Sequence, residues 1–396
     1  MKTYSYRGFD REGRARRGLV EASGAKGARE QLAAGGILVE RLNAGRERAR
    51  GLDRGERAAV YRELGALAEA GLPVVQALDT LIDAPELAGE RVLMAAVRDR
   101  IKEGSTLAAA FRATEPSMSA FETAMLETGE RSGTLGPMLG RLADVLEEQE
   151  QMRGRVVSAL IYPAIVVALG LCVAIVMLGV LLPRTRVFLA QSGVPLPALT
   201  RFMLGVGRFM AAWGLLALCG AVGAGFVLRH RLRTQPEARL RLDQRLFSVP
   251  LVAHGYRLLA CMHFARTLAV LLRAGVTLIE GMVLAGRATG SAWVAAQVEG
   301  EAETVKHGGR LSDAVSRIPP LAGSLPGWIR VGEAGGGMAS LLDAAAERYR
   351  LQWERFVARG LSLLEPLLII VIGGFVLLIA LSVLLPVLSL TQVAGR

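Results

Sequence analysis

Gly129-Glu130-Arg131-Ser132-Gly133 leads through an amphipathic run into an apolar segment that opens Leu160-Ile161-Tyr162-Pro163. Gly332-Glu333-Ala334-Gly335-Gly336 leads through a similar run to Leu364-Glu365-Pro366. One offset of 203 residues separates both glycines (129 and 332) and both prolines (163 and 366). A Gly-Glu turn, a charged helix and a proline at the mouth of a membrane-length apolar run therefore form a duplicated unit, and any fold must hold it twice.

The apolar runs set the class. Residues Pro163 to Leu182 are 20 uncharged positions, enough to cross about 30 Å of hydrocarbon at about 1.5 Å per residue. Phe209 to Leu228 is a second such run, and Pro366 to Pro386, inside an apolar stretch to Leu390, a third. Pro163 is expected near a helix start, where a missing amide costs least. Gly220, Ala221, Ala224 and Gly225 offer small-residue spacing for close helix contact. Between these runs the chain is charged: 52% of its 396 residues are hydrophobic, yet 21% are charged, which fits a membrane protein with soluble parts.

The polar parts read as helical. Leu64, Leu67, Ala68, Gly71, Val74, Ala77, Leu78 and Leu81 recur at three- and four-residue spacings. Helices are expected over Val92–Lys102, Leu107–Arg112 with Ser105 as cap, Ala120–Glu127 ending at Gly129, and Leu135–Gln151. Arg266, Leu268, Leu271, Ala274 and Gly275 repeat Arg62, Leu64, Leu67, Ala70 and Gly71 at an offset of 204. Ahead of the first repeat, Tyr4, Tyr6 and Phe9 alternate with polar residues, Asp10 to Gly13 turns, and Gly18 to Ala22 resumes. A hairpin, a short helix capped by Ser23 and ending at Gly35-Gly36, and a strand at Ile37 to Val39 follow.

The expected fold class is thus an all-α membrane protein with two homologous helical-bundle domains, three transmembrane helices and a small N-terminal α/β module. The module covers 1–43, a linker 44–57, the first helical domain 58–155 and the first transmembrane helix 156–183. A short loop covers 184–208, the second transmembrane helix 209–228, the second helical domain 229–360, the third transmembrane helix 361–390 and a tail 391–396. Arginines decide the orientation: Arg229, Arg231, Arg233, Arg239 and Arg241 follow the second span, and Arg348, Arg350, Arg355 and Arg359 precede the third. The N-terminus and both helical domains are expected in the cytoplasm, the short loop and C-terminus on the periplasmic side. The formal net charge of +11 is read as this topological arginine excess, with no nucleic-acid partner. Met1 to Gly18 has no apolar core, so no cleavable signal peptide is expected.

Catalytic chemistry finds little support. The four lysines, Lys2, Lys26, Lys102 and Lys306, include none in a phosphate-binding loop, and neither HExxH nor Gly-x-Ser-x-Gly is present. Histidines 230, 254, 263 and 307 are scattered, and the three cysteines form no CxxC pair. The spans carry no internal charge, which disfavours a small channel or transporter, the rival from another class. Glu130 and Glu333 sit where an acid favours the start of a helix. Asp144 and Glu148, four apart beside Glu147 and Glu150, are read as a salt-bridged face, with a weak cation site as the alternative.

These residues carry a resemblance. Tyr4-Ser5-Tyr6 with Gly18 to Ala22, the paired Ala70-Gly71-Leu72-Pro73 and Ala274-Gly275-Val276-Thr277, Gly104-Ser105-Thr106-Leu107, Gly129 to Gly133 and Ala159 to Pro163 are together similar to the inner-membrane platform protein F of bacterial type II secretion systems and its type IV pilus counterparts. The similarity spans essentially the whole chain. It implies a non-enzymatic, multi-pass inner-membrane scaffold that contacts a cytoplasmic secretion ATPase, other inner-membrane components, pseudopilins and membrane lipid, as a homo-oligomer. Gly129, Glu130, Gly133, Tyr162 and Pro163, with Gly332, Glu333, Gly335 and Pro366, are its structural motif residues. The resemblance also implies a calcium site in the first helical domain, with Asp144 as one ligand and Glu86 as another; Gly140 stands where a further carboxylate is expected one turn earlier.

Overall fold

The computed structural model describes residues 2–22, 24–44, 51–87, 89–181, 198–234 and 236–394. The N-terminal module holds β1 (Lys2–Phe9), β2 (Ala15–Ala22), α1 (Ala25–Ala34) and β3 (Leu38–Ala44), in an antiparallel sheet ordered β2-β1-β3. Tyr4, Ala22 and Ala28 form its small core. Residue Ser23, the expected cap, lies outside the described residues; Gly24 is the N-cap and contributes no side-chain bond.

The first helical repeat opens earlier than the periodicity suggests. Asp53 accepts from the Glu56 amide while Glu56 accepts from the Asp53 amide, a reciprocal capping box that starts α2 (Arg54–Glu69) inside the expected linker. There follow α3 (Val74–Asp83), a 3-10 turn Pro85–Leu87, α4 (Arg91–Lys102), α5 (Leu107–Thr114), α6 (Ala120–Ser132) and α7 (Leu135–Val176), the last continued by a π-helical turn Met177–Leu181. Thr106, rather than Ser105, caps α5 through the Ala109 amide. Beyond come α8 (Ala198–Thr234), α9 (Pro236–Ser248) and α10 (Pro250–Arg273), then α11 (Leu278–Ala288), α12 (Ala292–Lys306), α13 (Leu311–Ser316), α14 (Leu325–Gly335) and α15 (Met338–Ala394).

The duplication is visible in the backbone. Left-handed glycines recur in pairs: Gly71 and Gly275 at φ 86° and 82°, Gly104 and Gly308 at 94° and 91°, Gly133 and Gly336 at 70° and 73°. At the first pair the chain leaves α2 through Leu72 N donating to Leu67 O and Gly71 N to Ala68 O, and leaves α10 through Val276 N to Leu271 O and Gly275 N to Leu272 O. Only a residue without Cβ takes this turn cheaply.

The chain divides into two compact units, one of Met1–Met152 with Tyr256–Arg350, the other of Arg153–Gly255 with Leu351–Arg396. In the first, both helical repeats share one body. Val270, Leu271, Ala274 and Val276 of the second repeat lie in the same apolar core as Leu64, Leu78, Phe111, Met125 and Leu139 of the first. That core also holds a buried polar network. The Arg57 guanidinium lies 3.2 Å from Glu122, whose carboxylate accepts from the Tyr61 hydroxyl, and buried Glu115 accepts from the Leu52 amide at 2.6 Å. Burial and the neighbouring Glu122 carboxylate push the Tyr61 hydroxyl well above the usual phenol range.

Among the described residues, two helical stretches are long and apolar enough to cross a bilayer, Leu135–Gly179 and Met338–Ser382, each with mean hydropathy 2.7 in its most apolar window. The run 209–228 lies within the single 37-residue helix α8. The described structure thus identifies two candidate spans where three were expected. Leu178, Met203, Leu204 and Ile379 pack together, and a Cβ on Gly170 would meet Ile372 at 3.2 Å. Thr200 donates its hydroxyl to the Ser382 carbonyl at 2.8 Å. Pro386 stands four residues after Ser382 and has no amide to give, so Thr200 supplies the donor that the helix lacks.

Candidate functional site

The Gly-Glu motif is a helix-locking device, built the same way twice. α6 begins at Ser119, whose hydroxyl accepts from the Glu122 amide while Glu122 caps back. It then runs through Gly129, where the sequence suggested its end, and stops at left-handed Gly133. Gly129 is needed for close approach: a Cβ there would lie 3.1 Å from the Met138 Cβ and 3.2 Å from the Leu135 Cα of α7. Gly332 in α14 meets Met338 of α15 still more tightly, at 2.9 Å from Sδ and 3.0 Å from Cα. Each glycine lets a long helix fold back directly onto its predecessor. Gly335, expected as the turn residue of the second copy, is instead the last residue of α14, and the left-handed cap is Gly336.

The glutamates act at a distance. Glu130 Oε1 accepts from the Leu107 amide at 2.5 Å and Oε2 from the Ala108 amide at 3.4 Å, which places it over the N-terminus of α5, a helix 22 to 23 residues earlier. Glu333 repeats this on α13: its Oε1 accepts from the Leu311 amide at 2.6 Å and the Ser312 amide at 3.3 Å, and its Oε2 from the Ser312 hydroxyl at 2.6 Å. A carboxylate on the orphan amides of a helix start satisfies donors and complements the dipole together. The sequence set each acid beside the start of a helix, at the Gly-Glu turn itself; the structure sets it on the start of another helix. That helix precedes the acid in the chain.

Tyr162 is exposed on α7, and Pro163 lies inside that helix rather than at its start, leaving the Ala159 carbonyl without its amide donor. Pro366 is likewise interior to α15. A proline within each long helix therefore marks where the charged segment gives way to the apolar one.

The acidic cluster is an ion-pair face. Asp144 and Glu147 both accept from Arg62, at 2.6 and 2.9 Å. Arg266, the counterpart of Arg62, bridges Glu148 at 2.9 Å and Asp343 at 3.1 Å, so Glu148 of the first repeat is tied to the second. The Glu86 side chain lies outside the described residues. Asp144 is engaged by a guanidinium, and among the described residues no three His, Cys, Asp or Glu side chains gather. Of the implied calcium pair the structure describes only the Asp144 side chain, and that carboxylate faces Arg62.

Sequence reasoning missed the buried Arg57–Glu122 pair. Its one local signal was Ser119-x-x-Glu122, which announces a cap but not the arginine. His263 in α10, one of the four histidines read as scattered, has its imidazole pulled down to about 4 by burial and, secondarily, by Arg54.

Comparison with known proteins follows the same repeats. The family described as "Type II secretion system (T2SS), protein F" matches residues 60–183 and again 264–386, and its N-terminal domain matches 1–42. A type II secretion system protein F of Pseudomonas aeruginosa is 32% identical over 412 aligned residues, with all of both chains covered. One from Vibrio cholerae is 29% identical over all of both chains, and a type IV pilus assembly protein PilC of Thermus thermophilus is 29% identical over 98% of each. With both copies of the Gly-Glu lock inside the matched segments, the chain belongs to the type II secretion system protein F family.

Proposed function

We propose that this protein is the inner-membrane platform of a type II protein secretion system, coupling a cytoplasmic secretion ATPase to pseudopilus assembly for export of folded proteins across the outer membrane. The chain itself has no catalytic part in this reading. α7 and α15 each continue without a break from a helical repeat into an apolar segment, and that continuity carries the reading. A hydrogen-bonded helix transmits displacement along its axis, so motion imposed on a repeat by an ATPase reaches subunits in the bilayer.

The topology belongs to the same proposal. Three spans, formed by parts of α7, α8 and α15, place the N-terminus and both repeats in the cytoplasm and the C-terminus in the periplasm. One shared core for the two repeats supports a single side, since a common apolar core does not form across a bilayer. The arginines around 229–241 and 348–359 support the inner side. Platform function further requires other inner-membrane components, pseudopilins, and a homo-oligomer.

Deletion of the gene tests this. Folded exoproteins are then expected to accumulate in the periplasm, and secretion returns with a plasmid copy. Undiminished secretion in the deletion strain refutes the reading. The relatives named as type IV pilus assembly proteins favour one second reading, and loss of surface pili with secretion intact in that strain would select it.

A further inference from the structure

α7 and α15 enter their apolar segments without a break, but the chain leaves the apolar run of α8 differently. α8 ends at Thr234, and a separate short helix, α9, opens on Pro236, which has no amide to continue the ladder and crowds the turn before it. α9 lies between the two segments that match the family's repeat, so neither repeat accounts for it.

This stretch is basic, and α9 sorts its residues by face. From Arg229 to Arg245 stand six arginines, at 229, 231, 233, 239, 241 and 245, against two acids, Glu237 and Asp243, a formal balance of +4. On α9, Arg241, Gln244, Arg245 and Ser248 are exposed at three- and four-residue spacing, whereas Asp243 and Phe247 are buried. The acid is turned inward and the arginines outward. Val249 and Val252, just beyond, are 49% and 42% exposed.

Position names the partner. The uncharged run ends at Leu228, six residues before the end of α8, which is about 9 Å at about 1.5 Å per residue. The headgroup layer outside the hydrocarbon is roughly 5–8 Å deep. α9 therefore starts at the outer edge of the lipid headgroups. A cluster of about four to eight arginines or lysines beside a span is drawn to anionic headgroups.

We infer that α9 is an interfacial helix whose exposed face, Arg241 and Arg245 with Val249 and Val252 beyond them, lies on the cytoplasmic leaflet and binds anionic phospholipid. The guanidiniums donate to phosphodiester oxygens, and the valines reach the top of the acyl layer. The inference rests on the span proposed within α8 and goes further by giving its arginines a ligand. A topological excess needs only the number of arginines on one side, whereas this contact needs them on one face of α9.

The test uses the full-length protein in nanodiscs of mixed phosphatidylcholine and phosphatidylglycerol. Cys172, Cys219 and Cys261 are replaced by alanine, and bimane is attached at Ser248→Cys or, separately, at Phe226→Cys. One lipid at a time carries a nitroxide near the headgroup end of an acyl chain. Phe226 is 73% exposed inside the apolar run, so a label there should be quenched by either lipid. The label at Ser248→Cys should be quenched severalfold more by labelled phosphatidylglycerol, and high salt should erase the difference. Each arginine near an anionic surface is worth about fivefold in affinity. Arg239→Gln, Arg241→Gln and Arg245→Gln together should therefore bring the two lipids level, while lysine at all three positions keeps the preference. Equal quenching by the two lipids, no quenching at 248, or a preference that survives the glutamine variant overturns the lipid face while quenching at 226 leaves the span standing. A label at 226 that neither lipid quenches overturns both.

Discussion

Glu333→Ala is expected to loosen α13 without unfolding the repeat. Three donors converge on this carboxylate, the Leu311 amide, the Ser312 amide and the Ser312 hydroxyl, and Ser312 is fully buried. Hydrogen bonds to a charged group contribute roughly 1.5–3 kcal/mol each, and a buried donor left unpaired costs about 1–3 kcal/mol. α13 is a short helix whose first turn opens readily to water, so the loss amounts to about one strong bond rather than three, about 3 kcal/mol. The first repeat makes a sharper comparison. Among the described residues Glu130 accepts two bonds, one of them long, and Thr106 caps the same helix independently, whereas Arg310 at the N-cap of α13 gives no side-chain bond. Glu130→Ala should therefore cost less, about 2 kcal/mol. Hydrogen–deuterium exchange read by mass spectrometry measures both. Peptides covering 311–316 should exchange about 150-fold faster in Glu333→Ala, and those covering 107–114 about 30-fold faster in Glu130→Ala. Peptides from α12 should be unchanged. Glu333→Gln, which keeps an acceptor and loses the charge, should fall between. Equal acceleration in the two repeats, or none in α13, would refute the capping argument.

Three further outcomes follow from other contacts. Gly332→Ala sets a Cβ 2.9 Å from the Met338 Sδ and 3.0 Å from its Cα, and since the backbone atom cannot swing aside it should destabilise the first unit by about 2 kcal/mol in thermal melts, more than Gly129→Ala. His263 is neutral in the fold down to about pH 4 but titrates near 6.5 when unfolded, so stability is full above pH 6.5 and falls as pH drops from 6.5 to 4, by about 3 kcal/mol in all. His263→Leu should remove that part of the pH slope in denaturant titrations run across the window, and an unchanged slope would refute the burial argument. Thr200→Val should leave the Ser382 carbonyl without a donor and cost about 1 kcal/mol in unfolding from detergent micelles, while Thr200→Ser is tolerated.

What the chain's linear order made legible was whatever depends on neighbours in sequence. Membrane-length runs need only length and hydropathy, and the paired glycines 71 and 275, 104 and 308 announce turns because a left-handed residue is a local requirement. Tertiary structure decided the rest, because it depends on which surfaces meet. Gly129 looks like a helix stop in sequence and proves to be a packing site, since only the fold shows Met138 lying against it. Pro163 looks like a helix start and lies within one, because the charged segment before it continues the same helix into the apolar run. The joining of two repeats in one core, the pairing of Arg266 with Glu148, and the choice of α5 and α13 as the helices that Glu130 and Glu333 cap join residues 22 to more than 100 positions apart. Periodicity carries no record of such meetings; they are settled when apolar faces bury one another and leave polar groups to find the partners within reach.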